Sequence, residues 1–147
     1  MGFFNSMDIS ASGMTAQQLR TDIISQNLAN VDTTRDANGD VYVRKTVIFS
    51  QKGNPVSSFS SVLDSAIGRS GSGVKVSSIV EDKKTDMRMV YDPSHPDADE
   101  NGYVTYPNVD TVTEMTNMID ASRSYEANVT AFNASKSMLL RTLEIGK

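Results

Sequence analysis

No cysteine occurs in this chain, so it can build neither a disulfide framework nor a thiolate metal site. A cysteine-free chain survives in reducing and oxidising surroundings alike, and the absence leaves the compartment open. Tryptophan is also missing, and aromatic residues make up 7% of a chain whose hydrophobic fraction is 38%, on the thin side for a globular protein. That supply leaves room for packing partners from outside the chain. No run of Lys or Arg forms a patch able to neutralise several phosphates, and the formal net charge is -4, so neither nucleic acid nor anionic membrane is expected as a partner. No stretch approaches the ~18 consecutive apolar residues of a membrane span. The N-terminus, MGFFNSMDISASGMTAQQLR, lacks the basic start and roughly 7–15-residue apolar core of a secretory signal. The expectation is a cytosolic protein, or one exported without a cleaved signal.

The 147 residues suit one ordinary domain or two small ones. Three regions differ in periodicity. From Ser6 to Val31 there is no Pro and one Gly. Ile9, Ala16, Leu19 and Ile23 recur on one side of a helix, and Met7, Met14, Ile24, Leu28 and Val31 on an adjoining side. Two stripes make a wide apolar face, which predicts neighbours on two sides. The middle, Thr33 to Asn108, loses that period. Asp40–Phe49, Gly73–Val80, Thr85–Tyr91 and Gly102–Tyr106 read as strands, with a turn at Asn38-Gly39. Phe59, Val62, Leu63 and Ile67 suggest a short helix ended by Gly68, and residues 68–73 a flexible joint.

From Val109 to Ile145 neither Pro nor Gly occurs. Met115, Ser122, Val129, Lys136 and Leu143 fall in one heptad register, and Met118, Tyr125, Phe132 and Leu139 in the other; Ile119 and Leu140 lie just beside the seam. The pattern predicts a helix about 55 Å long. Such a helix suits an oligomeric assembly better than a small globular domain. The fold class expected is α+β, with long N- and C-terminal helices pairing as a coiled-coil-like bundle around a β-rich middle region.

Candidate chemistry is incomplete wherever it begins. Asp97-x-Asp99-x-Asn101-Gly102 opens like a calcium loop, but the twelfth position, where a bidentate Glu belongs, is Asn108, and strands rather than helices flank it. GRSGSGVK spaces Gly68 and Gly73 as in a phosphate loop, yet Lys75 comes one place late and a strand pattern follows. The single histidine, His95, sits between Pro93 and Pro96, where it shapes a turn rather than accepting a proton. No G-x-S-x-G or spaced carboxylate pair stands elsewhere. Asn128-x-Thr130 and Asn133-x-Ser135 match a glycosylation acceptor, but inside the predicted helix. No enzyme, cofactor or metal site is expected. A calcium-binding module or a helical adaptor is the rival reading.

The stretch SGMTAQQLRTDIISQNLANVDTTR (Ser12–Arg35) resembles the terminal signature of flagellar axial proteins, the rod and hook family. YDPSHPDADENGYVTYPNVD (Tyr91–Asp110) and the segment Met115–Lys147 resemble its proximal-rod branch. One departure follows Thr34, where RDANGD replaces the Pro-containing, Gly-rich stretch usual in the family. The resemblance implies terminal helices that pair in an inner layer of a tubular drive shaft transmitting torque, with the middle region outside. It also implies a location in the flagellar basal body and passage through the flagellar type III export apparatus without a cleaved signal. The partners implied are other copies of the chain and other flagellar rod proteins, with no small-molecule substrate. On this reading residues 1–34 and 109–147 form the helical domain and 35–108 the middle region. Assembly contacts are expected from Ile9, Ala16, Leu19, Ile23, Asn27, Leu28 and Asn30 on the first helix. On the second they are expected from Met115, Met118, Tyr125, Val129, Phe132, Leu139 and Leu143.

Overall fold

The computed structural model describes residues 3–35, 39–52, 63 and 73–146. In chain order the elements are α1 (Phe3–Ala29), β1 (Lys45–Gln51), β2 (Val74–Glu81), β3 (Arg88–Tyr91), β4 (Tyr103–Tyr106) and α2 (Thr111–Ile145). This is the expected α+β arrangement of two long terminal helices packed together, with small antiparallel hairpins between them. The short helix expected around Phe59 to Ile67 and the joint at 68–73 lie outside the described residues, apart from Leu63 and Gly73. No helix among the described residues is long and apolar enough to cross a membrane.

Freedom from proline lets each helix run unbroken. Asp110 starts α2: its extended backbone and its side chain, which accepts the Thr113 N–H, satisfy a donor the first turn would otherwise leave open. The Thr113 hydroxyl first, and then its N–H, hold the Asp110 carboxyl below the usual range.

The helices pack antiparallel in one register. Ser6 Oγ donates to Ser135 Oγ at 3.4 Å, Gly13 lies against Asn128, and the Asn27 amide donates to Glu114 at 2.9 Å. Those contacts fall at heptad steps on both helices, the repeat of a coiled coil. Small side chains permit the approach: a Cβ on Gly13 would sit 2.7 Å from Asn128 Oδ1. This corrects the expected seam. The line facing α1 runs through Glu114, Ala121, Asn128 and Ser135, one residue ahead of Met115, Ser122, Val129, Lys136 and Leu143. Close backbones favour the small residues, and Met115 and Leu143 turn to solvent.

β1 and β2 pair antiparallel with an irregularity between Ile48 and Phe49, and β3 pairs with β4. A two-stranded ribbon is marginal alone. The first leans on α1, and the Ser12 hydroxyl fastens it, accepting the Val74 N–H at 3.0 Å while donating to the Ile9 carbonyl at 2.7 Å. Both stripes of α1 are therefore partly covered by the chain's own sheet. Leu19 of the first shares a groove with Val74 and Val76, and Ile24 of the second is buried beside Val47 and Phe49. At the start of β2, Gly73 has φ +100°, and a Cβ there would collide with Ser12 Oγ. Gly73→Ala should therefore cost about 1–3 kcal/mol in urea denaturation, and an unchanged midpoint would refute this account of the strand's anchorage.

Two expected strands are shorter than their sequence patterns. β1 begins at Lys45 rather than Asp40, because Asn108 takes the Arg44 N–H and Asn27 the Lys45 N–H. β3 begins at Arg88 rather than Thr85, whose N–H and hydroxyl bond the Asp82 carboxylate in a turn. The Thr85 hydroxyl, followed by the Lys84 and Thr85 N–H groups, holds Asp82 below the ordinary carboxylate range.

Candidate assembly interface

Among the described residues the buried hydrophobic core is Ala16, Ile23, Ile24, Val104 and Ala121. So small a core leaves much of both helices facing outward. Of the residues expected to make contacts, Ala16, Ile23 and Asn27 are buried, and Ile9, Leu19, Leu28, Asn30, Met118, Val129, Phe132 and Leu139 are half-buried. Met115, Tyr125 and Leu143 are exposed. Tyr125 borders a groove of about 320 Å³ with Gln18, Thr21, Asp22 and Ser122, on the flank of the helix pair.

On the outer side of α2, Val112, Met115 and Ile119 are 73%, 52% and 53% exposed. Their i, i+3, i+7 spacing sets them on one stripe, away from the Glu114–Ala121 line that meets α1. At the opposite end of the helix Met138, Leu140, Leu143 and Ile145 are exposed, together with Phe4 near the start of α1. The apolar side chains at both ends of α2 are thus left uncovered in the single chain.

Where α1 ends and α2 begins lies a buried polar cluster. Asn27 Nδ2 donates to the Lys45 carbonyl at 2.8 Å and to Glu114 Oε2 at 2.9 Å; its Oδ1 accepts the Lys45 N–H at 2.9 Å and the Tyr42 hydroxyl at 3.0 Å. The side-chain amide thus reads one residue's backbone as a neighbouring strand would. Glu114 Oε1 accepts the Arg44 fork, Nε at 2.9 Å and Nη2 at 2.7 Å. Asn108 holds the preceding backbone position, accepting the Arg44 N–H at 2.9 Å and donating to the Asp82 carbonyl at 2.7 Å. Burial, and then the negative charges of Glu114 and Glu81, push the Tyr42 phenol above its usual value and keep it a donor. Asn30 works locally instead, donating to the Gln26 carbonyl and accepting from the Thr33 hydroxyl.

The loop that opened like a calcium site spends its carboxylates on protein groups, within the loop and just after α1. Asp99 Oδ1 accepts the N–H groups of Asn101 and Tyr103, and Asp97 binds the Thr34 hydroxyl and the Arg35 guanidinium, both at 2.7 Å. Arg35 belongs to the segment that departs from the family pattern. His95 Nδ1 accepts the Asp97 N–H, so the histidine shapes the turn. The Ser94 hydroxyl and N–H hold Asp92 below its usual range. Among the described residues no group of three or more His, Asp and Glu side chains gathers to hold a metal ion. Calorimetry at millimolar Ca²⁺ should therefore register no binding heat; a heat abolished by Asp97→Ala would overturn this reading. Of the phosphate-like stretch, Gly73 to Lys75 are described and lead directly into β2, without a helix N-terminus.

Two family models match the terminal regions. One, described as flagella basal body rod protein, covers residues 7–35; the other, flagellar basal body rod FlgEFG protein C-terminal, covers residues 100–145. A flagellar basal-body rod protein FlgC of Bacillus subtilis is 52% identical, with 100% of both chains covered. The chain belongs to the FlgC family of flagellar basal-body rod proteins. Other FlgC relatives are that of Borreliella burgdorferi, 45% identical over 99% of this chain and 98% of its own, and that of Salmonella typhimurium, 41% identical over the whole of both chains. The calcium-module and adaptor alternatives find no support among these relatives. The two matched regions contain most of the helix pair, and the chain's buried contacts include residues that hydrophobic patterning passed over: Arg44, Asn108, Glu114, Ala121 and Ser135. Their one sequence signal is the heptad spacing of Glu114, Ala121, Asn128 and Ser135, which is polar or small throughout.

Proposed function

We propose that this chain, a structural subunit of the flagellar basal-body rod, assembles through the apolar surfaces its helix pair leaves uncovered. Its location is the rod of the basal body, and its assembly partners are rod proteins. The observation that carries the assembly reading is the set of large apolar side chains that α2 leaves exposed, Val112, Met115 and Ile119 at one end and Met138, Leu140, Leu143 and Ile145 at the other. Exposed apolar surface gathered in this way marks an interaction site.

In this reading residues 1–34 and 109–147 form the inner helical layer and 35–108 the outer region. Met115, Tyr125 and Leu143, with the edges of Leu19, Leu28, Met118, Val129, Phe132 and Leu139, meet neighbouring subunits. Ile9, Ala16, Ile23, Asn27 and Asn30 hold α1 in the shape those neighbours meet. Further copies of the chain are among those neighbours, and the flagellar type III export apparatus carries it to the rod. The role is structural rather than catalytic, in keeping with relatives named as rod proteins. Mass spectrometry of basal bodies isolated from the parent bacterium should find the chain in the rod fraction. Intact rods without it would refute the reading.

A further inference from the structure

The seam between α1 and α2 does not by itself choose one register. Its layers join small residues, Ser6 with Ser135 and Gly13 near Asn128, and the same spacing sets Arg20 opposite Ala121. Slid one heptad in one direction, Gly13 would meet Ser135 and Ser6 would meet Thr142. Neither meeting is obstructed by a large side chain. Slid the other way, Gly13 would meet Ala121, and Arg20 would replace Arg44 as the partner of Glu114. At these layers neither alternative is blocked, and one supplies a new ion pair.

The polar cluster separates them. Asn27, at the end of α1, clamps Lys45; Asn108, just before α2, clamps Arg44, its chain neighbour; and Arg44 reaches Glu114 on α2. Both helices are therefore referred to consecutive residues, Arg44 just before β1 and Lys45 at its start. Glu114 and Asn27 are each 1% exposed, and either slide parts them: one sets the Asn27 amide opposite Ala121, the other carries it past the start of α2. A buried polar group without its partner is disfavoured far more than a small-residue layer is favoured. A single polar layer in an otherwise permissive coiled coil is known to fix register in this way. We propose that Asn27, Arg44, Asn108 and Glu114 are a register key, which selects the one alignment of α1 with α2 that the small-residue seam leaves open. The inference concerns the folded chain and stands apart from the rod assignment.

The absence of native cysteine makes cross-linking a clean test. In dilute, oxidised full-length protein, Ser6→Cys with Ser135→Cys reports the observed register. Ser6→Cys with Asn128→Cys, and with Thr142→Cys, report the two slides. With the key intact, only the first pair should yield an intrachain product. With Asn27→Leu, Arg44→Met, Asn108→Ala and Glu114→Leu together, one of the slid pairs should rise at least tenfold while helicity by circular dichroism persists. A milder variant, Asn27→Ala with Asn108→Ala, should shift in the same direction. Either variant overturns the proposal if it stays helical and cross-links only Ser6→Cys with Ser135→Cys. Loss of helix and of all three cross-links in both variants would also overturn it, because the cluster would then hold the helices together without choosing between registers.

Discussion

Arg44→Ala should lower stability by about 3–5 kcal/mol, the cost of leaving a buried charge without its partner. For a chain of this length that is a drop of roughly 6–20 °C in Tm. The Glu114 side chain is 1% exposed and loses both nitrogens of the guanidinium fork, keeping the Asn27 amide and a long contact from Asn117. Glu114→Ala should cost less, although it breaks the same pair. The Arg44 side chain is 23% exposed and lies 3.7 Å from Asp82, so a guanidinium deprived of Glu114 still has water and a second carboxylate, whereas a carboxylate deprived of Arg44 keeps only neutral amide donors and almost no water. Thermal melts at 222 nm would read the order of the two variants. Equal losses would mean that the pair is wetter than its burial indicates, and an Arg44→Ala melt within 1–2 °C of the parent would remove the cluster from any structural role.

That cluster also shows where reading by periodicity stops. The two helices and the four strand centres were legible, because proline-free apolar recurrence and alternation are local properties. The inward line of α2 was not, because Glu114, Ala121, Asn128 and Ser135 carry little hydrophobic signal, while Met115 and Leu143 one place away carry much. Close helix packing favours small residues over large apolar ones, and only the partner helix reveals that choice. Asn108 makes the point from the other side. In sequence it is the residue that spoils a calcium loop. In the fold it bonds the backbone at Arg44, Asp82 and Thr85, and so joins the start of α2 to both hairpins. Asn27 and Asn30 look alike in sequence, two amides flanking Leu28, yet one is a buried clamp and the other a local cap. The difference lies in which of them meets the strand, and that depends on residues far along the chain.

Met115→Lys with Ile119→Lys should abolish motility while leaving the monomer's melt nearly unchanged. Both side chains are more than half exposed in the chain alone, and a substitution at such a site typically moves stability by no more than about 0.5 kcal/mol. Lys is also a good helix former, so α2 itself is not weakened. In an assembled rod the same positions would bring two ammonium groups into an apolar contact, where an unpaired charge is strongly disfavoured. Phe132→Asp makes the informative contrast. Phe132 is half-buried in the register shared with Met118 and Leu139, and truncating a packed aromatic costs about 3–5 kcal/mol. That variant should therefore lose motility and thermal stability together. Soft-agar spreading, cellular levels by immunoblot and melts of the purified chains separate the two patterns. Normal spreading by the double Lys variant at normal cellular level would show that the outer stripe of α2 meets no neighbour, and normal spreading by Phe132→Asp would remove the helix seam from assembly altogether.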